Sequence, residues 1–147
     1  MSDYSMHFDG SCGPKNPGPT GGYGVVIKRE GTLVYSESGP LVAELLSNNY
    51  AEFYAVYKGL VWADLVLNKG DRLFVRGDSQ LVINIMSGKF KGKSSSLYYP
   101  AYEKAKNALT SIRSRYVNVS FDWVPREMNK EADSLSTEYR STSGEKC

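Results

Sequence analysis

The sequence is poor in the residues that hold soft metals. Its 147 residues include one histidine, His7, and two cysteines, Cys12 and Cys147. The cysteines lack metal-ligand spacing, so a zinc or iron–sulfur centre is not expected. Reduced thiols are expected rather than a disulfide, which suits a reducing compartment such as the cytoplasm. No apolar run approaches the roughly 20 residues of a membrane helix. The opening MSDYSMHFDG lacks the basic and apolar blocks of a secretory signal. Net charge is scarce too: the formal value of +2 neither implies nucleic acid nor excludes it, because local patches outweigh totals. Internal repeats and long linkers are absent. With 41% hydrophobic and 23% charged residues, the chain can fill one ordinary globular core.

What the chain does have is a clear order of elements. Tyr4–Asp9 alternates as a strand that ends on Asp9. Gly22–Arg29 and Thr32–Gly39 flank Glu30-Gly31, a two-residue hairpin turn. Tyr50–Leu67 reads as a helix, apolar almost all round and so deeply buried. Asn49 and Glu52 resemble a capping box at its start. Arg72–Arg76 is a short buried strand, and Ser79–Ser87 a helix with Gly88 as its C-terminal cap. Lys89–Ser96 is a basic loop, and Pro100 opens an amphipathic helix. Val117–Trp123 alternates as a strand, and 126–139 leads into a terminal helix. The fold class is α/β: three antiparallel strands, then parallel βα units, with helices on both faces of a mixed sheet. One domain over residues 1–140 is expected, with 141–147 a disordered tail.

Four carboxylates fall near element ends, where sites in such sheets gather. Each has an ordinary reading. Asp78 could be an N-cap, Glu52 part of a capping box, Asp9 a turn residue and Asp133 a solvated helix residue. Together they read differently. Glu52 is the only acid in its helix before Asp64. If the strands of Asp9 and Asp78 are neighbours, both carboxylates leave the same sheet edge, and the helix can present Glu52 there. Carboxylates ~5 Å apart repel by roughly 3 kcal/mol per pair at an effective dielectric of 20. A cation relieves that repulsion, and hard oxygen donors favour Mg²⁺ or Mn²⁺. A carboxylate-bound metal pair suits in-line cleavage of a phosphodiester.

FDGSC…NPGPTGGYGVVI, SNNYAEFYAVYKGL, VRGDSQLVINIM and VPREMNKEADSLS together resemble, in order and spacing, the motifs of type 1 ribonuclease H. The resemblance covers residues 4 to 139. It implies a ribonuclease-H-like five-stranded mixed sheet and a metal-dependent endonuclease that cuts the RNA strand of RNA–DNA hybrids. It implies that Asp9, Glu52, Asp78 and Asp133 hold two Mg²⁺ ions at the scissile phosphate, leaving 5′-phosphate and 3′-hydroxyl ends. It further implies that Asn16, Asn48, Asn49 and Gln80 read the minor groove of the hybrid. Gly10 and Ser11 would lie beside the RNA, and Asn129 would belong to the substrate-binding set. The alternative for Asn48 and Asn49 is helix capping.

The chain departs from the family pattern twice. Many members carry a histidine in the loop before the last aspartate. Here that loop, Val124–Asn129, has none, and Arg126 or Glu127 could substitute. His7 is expected to be a packed, structural residue. Many bacterial members also carry a long basic insertion, of which only KFKGK remains. Lys89, Lys91 and Lys93 are candidates for phosphate contacts and Phe90 for stacking, against a simple solvated loop. Three functions stay open: a hybrid-specific ribonuclease acting as a monomer, a binding module of the same fold without cleavage, and a related nuclease acting on other structured RNA or DNA.

Overall fold

Tyr4, Met6 and Phe8 alternate with less buried neighbours, and all three lie in the core. They belong to the central strand β1 (Asp3–Cys12). The structure, a computed structural model, describes residues 1–13 and 15–142. Strand β2 (Gly18–Arg29) pairs antiparallel with β1, and β3 (Thr32–Leu46) antiparallel with β2. Strand β4 (Arg72–Gly77) runs parallel to β1, and β5 (Asn118–Trp123) parallel to β4. The five strands lie in the order β3-β2-β1-β4-β5, the mixed sheet that the resemblance implies.

Helices cover both faces. Helix α1 (Asn48–Val66) packs on the face of Met6 and Val25, where a Cβ on Gly59 would meet both side chains. Helices α2 (Gln80–Met86) and α3 (Tyr99–Ser114) join α1 on that side. Phe53 of α1 meets the rings of Tyr98 and Tyr102, which tie α3 to it. Helix α4 (Lys130–Thr142) lies on the opposite face, against Gly22 and Gly24 of β2. The expected tail falls mainly on residues 143–147, outside the described residues.

Several local expectations change. β1 does not end at Asp9 but continues to Cys12, and β2 begins at Gly18 rather than Gly22. Cys12 pairs with Gly21 and Gly10 with Tyr23, so much of the glycine-rich stretch is strand. Glycine is a weak strand former, but small residues are needed here. A Cβ at Gly10 would stand 2.2 Å from the carbonyl carbon of Ala51, and one at Gly22 would stand 2.2 Å from the Ser136 carbonyl oxygen. These glycines admit α1 and α4 to the sheet. The N-cap of α1 is Ser47, whose hydroxyl accepts from Tyr50 N at 3.0 Å. That replaces the Asn49–Glu52 capping box, and it frees Glu52 from a capping role. Nor is α1 buried all round, since Leu65 is 81% exposed. The Glu30-Gly31 turn stands as expected, with φ of 49° and 83°. Gly88, with φ of 87°, follows the C-cap of α2.

Candidate active site

Asp9 sits within β1, Asp78 just beyond the end of β4, and Glu52 in the second turn of α1. Parallel pairing of β1 with β4 carries the two aspartates to one edge. The close approach of α1 at Gly10 brings Glu52 beside them. Each of the three residues offers a carboxylate oxygen, and those oxygens lie within 4.8 Å of one another. Asp9 and Glu52 are buried and Asp78 half-buried. Asp133, in the first turn of α4, joins them in lining an open cavity of about 360 Å³.

Burial and like charge act together here. Burial pushes the Asp9 carboxyl up to about 8, helped by its hydrogen bond with Asp133 and the charge of Asp78; the Ser136 hydroxyl opposes the shift. Burial also holds Glu52 well above its ordinary value, reinforced by the charges of Asp9 and Asp78. Without a cation the cluster resists full ionisation. An all-oxygen donor set without cysteine or histidine fits a hard divalent ion.

The other expected residues divide. Gly10, Ser11 and Asn48 line the same cavity. Asn16 Oδ1 accepts from Asn48 N at 3.0 Å, and Asn48 Oδ1 accepts from Cys12 N at 2.7 Å. The loop before β2 is thereby knitted to the start of α1. Asn49 is half-buried in α1, and Gln80 is exposed at the start of α2. Lys89, Phe90, Lys91 and Lys93 are exposed after α2 and do not line the cavity. Asn129 sits behind the site rather than on its surface. It is 1% exposed, and its Nδ2 donates to Phe8 O at 2.9 Å and reaches Asp78 Oδ1 at 3.4 Å. Of the histidine-free loop, Arg126 faces the acids, with its guanidinium 3.9 Å from Asp133. Glu127 instead shares a separate cavity with His7.

The sequence matches the family described as Reverse transcriptase-like over residues 7–139. The N-terminal RNase H domain of Rv2228c from Mycobacterium tuberculosis superposes with a TM-score of 0.81 at 27% identity, covering 98% of this chain and 97% of that one. The chain belongs to the reverse transcriptase-like family, and its structure is similar to that of a ribonuclease H domain. LC11-RNase H1, solved in complex with RNA/DNA hybrid, gives a TM-score of 0.75 at 28% identity and covers 95% and 98% of the two chains. Bifunctional protein Rv2228c of M. tuberculosis H37Rv is 32% identical over 123 residues, 84% of this chain and 32% of that protein. The chain thus spans about a third of the length of the curated relatives it matches.

Three residues at this site carry no warning in the motifs. The Ser136 hydroxyl, wholly buried, donates to Asp9 Oδ2 at 3.0 Å. Ser79 caps α2 and its hydroxyl bonds Glu52. The indole of Trp123 donates to the Asp78 carbonyl at 3.1 Å. Ser136 could have been found, since it lies one helical turn beyond Asp133 on the same face. The contacts of Ser79 and Trp123 carry no local signal.

Proposed function

We propose that this domain hydrolyses the RNA strand of RNA–DNA hybrids, leaving 5′-phosphate and 3′-hydroxyl ends. The observation that carries the reading is the convergence of the Asp9, Glu52 and Asp78 carboxylates within 4.8 Å at the base of an open polar cavity. Those three acids, with Asp133 at the rim, would hold two Mg²⁺ ions, Mn²⁺ being the alternative. Bound there, the ions supply a more acidic water as nucleophile and charge neutralisation at the departing 3′ oxygen.

The protein's own part is orientation. Ser136 fixes Asp9, Ser79 fixes Glu52, and Asn129 reaches Asp78 from behind. Arg126 brings a positive charge to the rim beside Asp133, in the loop that lacks a histidine. The backbone at Gly10 and Ser11 and the side chains of Asn16, Asn48, Asn49 and Gln80 would meet sugar and base edges of the hybrid. Amides there can test for 2′-hydroxyls. Lys89, Lys91 and Lys93 would touch phosphates of the DNA strand, with Phe90 against a sugar or base. A monomer working in the cytoplasm suits this role. LC11-RNase H1, 28% identical, was solved with an RNA/DNA hybrid, which supports the substrate class.

A Mg²⁺-dependent assay on labelled hybrid, duplex RNA and duplex DNA in parallel tests the proposal. Cleavage confined to the RNA strand of the hybrid is expected. Equal rates on all-DNA duplex would defeat the substrate assignment.

A further inference from the structure

A second concave surface, of about 480 Å³, lies where β4 and β5 begin, lined among others by Arg72, Phe74, Arg113, Tyr116, Asn118 and Ser120. It is separate from the acids. They lie past the C-terminal end of β4, and that strand's six residues span about 17 Å. Helix α4 packs over β2, β1 and β3, leaving Asn118, Ser120 and Asp122 of β5 exposed.

Its chemistry is cationic and aromatic. Arg72, Phe74 and Arg76 alternate along β4 and share one face. Both guanidiniums stand 5.6 Å from the Phe74 ring. Arg72 is held by both oxygens of Asp3 at 2.7 Å. Lys69, Arg76 and Arg113 make no ion pair among the described residues, although Asp122 stands opposite Arg76 in the strand register.

Tyr116 adds an independent observation. It has φ of 63° where α3 ends, a position at which glycine is the usual residue. The residue is 71% exposed, so packing does not repay the strain. Lys69 Nζ lies 5.3 Å over that ring.

We propose that this surface is a second nucleic-acid site, which takes a single strand. Bases stack on Tyr116 and Phe74, Lys69, Arg76 and Arg113 meet phosphates, and Asn118 and Ser120 reach base edges. An acidic peptide would use the cations but leave the rings idle. The proposal does not rest on the cleavage reading, because its test runs without metal.

Fluorescence anisotropy of a labelled eight-nucleotide DNA strand reads the binding. Tyr116→Gly removes the ring and the left-handed strain together, so Tm holds or rises while affinity falls about tenfold. Lys69→Gln with Arg76→Gln lowers the slope of log affinity against log salt by roughly one to two. Absence of binding by the parent overturns the proposal. So does equal affinity across parent and variants, or tighter capture of an acidic peptide than of the DNA strand.

Discussion

Asp78 is held from two sides, by the Trp123 indole at its carbonyl and by the Asn129 amide near its carboxylate. Asp78→Asn keeps the shape and removes a charge that a divalent ion needs. Turnover of hybrid should fall by about a thousandfold or more while circular dichroism stays unchanged. Near-normal turnover would remove Asp78 from the metal site. Asn129→Ala tests the residue behind it. The Phe8 carbonyl loses its donor in a buried setting, which costs about 1–3 kcal/mol of stability. Activity should fall further than that loss explains, because Asp78 is freed to turn; unchanged kcat in folded protein would make Asn129 purely structural. Asp9, Glu52 and Asp78, whose carboxylates the structure brings together, were legible in the sequence because each sits in a dense, ordered motif. The buried position of Asn129 was not, since only the packing of its loop beneath β1 and β4 takes it from the surface.

At the scale of elements, the fit of α1 against β1 decides where Glu52 points. Gly10 is the contact that permits it. Gly10→Ala would drive a Cβ into the backbone of Ala51 and Glu52. Backbone cannot swing aside as a flexible side chain can, so a loss of about 1–3 kcal/mol or more is expected in urea unfolding. Activity should suffer beyond the stability loss as α1 shifts; an unperturbed variant would show that the approach is looser than it looks. The sequence made the helix and the strand plain through their periodicity. It hid the glycines' purpose, because a strand tolerates glycine only for what packs on it, and that partner lies some forty residues away in the sequence.

For the whole molecule, the acidic cluster links folding, pH and metal. A carboxyl whose pKa is raised by folding stabilises in its protonated form. That contribution is present below its ordinary value and is lost as pH rises through the folded value. Asp9 is raised from 3.8 to about 8, and Glu52 is raised as well. Metal-free protein should therefore lose Tm as pH rises from about 4 to 8, a slope that Asp9→Asn flattens. Mg²⁺ should reverse the trend, raising Tm more at pH 8 than at pH 6, because binding needs the ionised forms. The Asp9→Asn/Asp78→Asn double variant should lose that response; an unchanged shift would place the ion elsewhere. The class of fold and the order of its elements could be read from local periodicity and motif order, and the resemblance to type 1 ribonuclease H pointed to Asp9, Glu52, Asp78 and Asp133. Tertiary structure alone decided that three carboxylates meet within 4.8 Å, and that Ser136, Ser79 and Asn129 brace them. It also decided that Gly10, Gly22 and Gly24 make room for α1 and α4. Such facts depend on which distant segments touch, and a pairwise contact leaves no trace in the spacing of either partner.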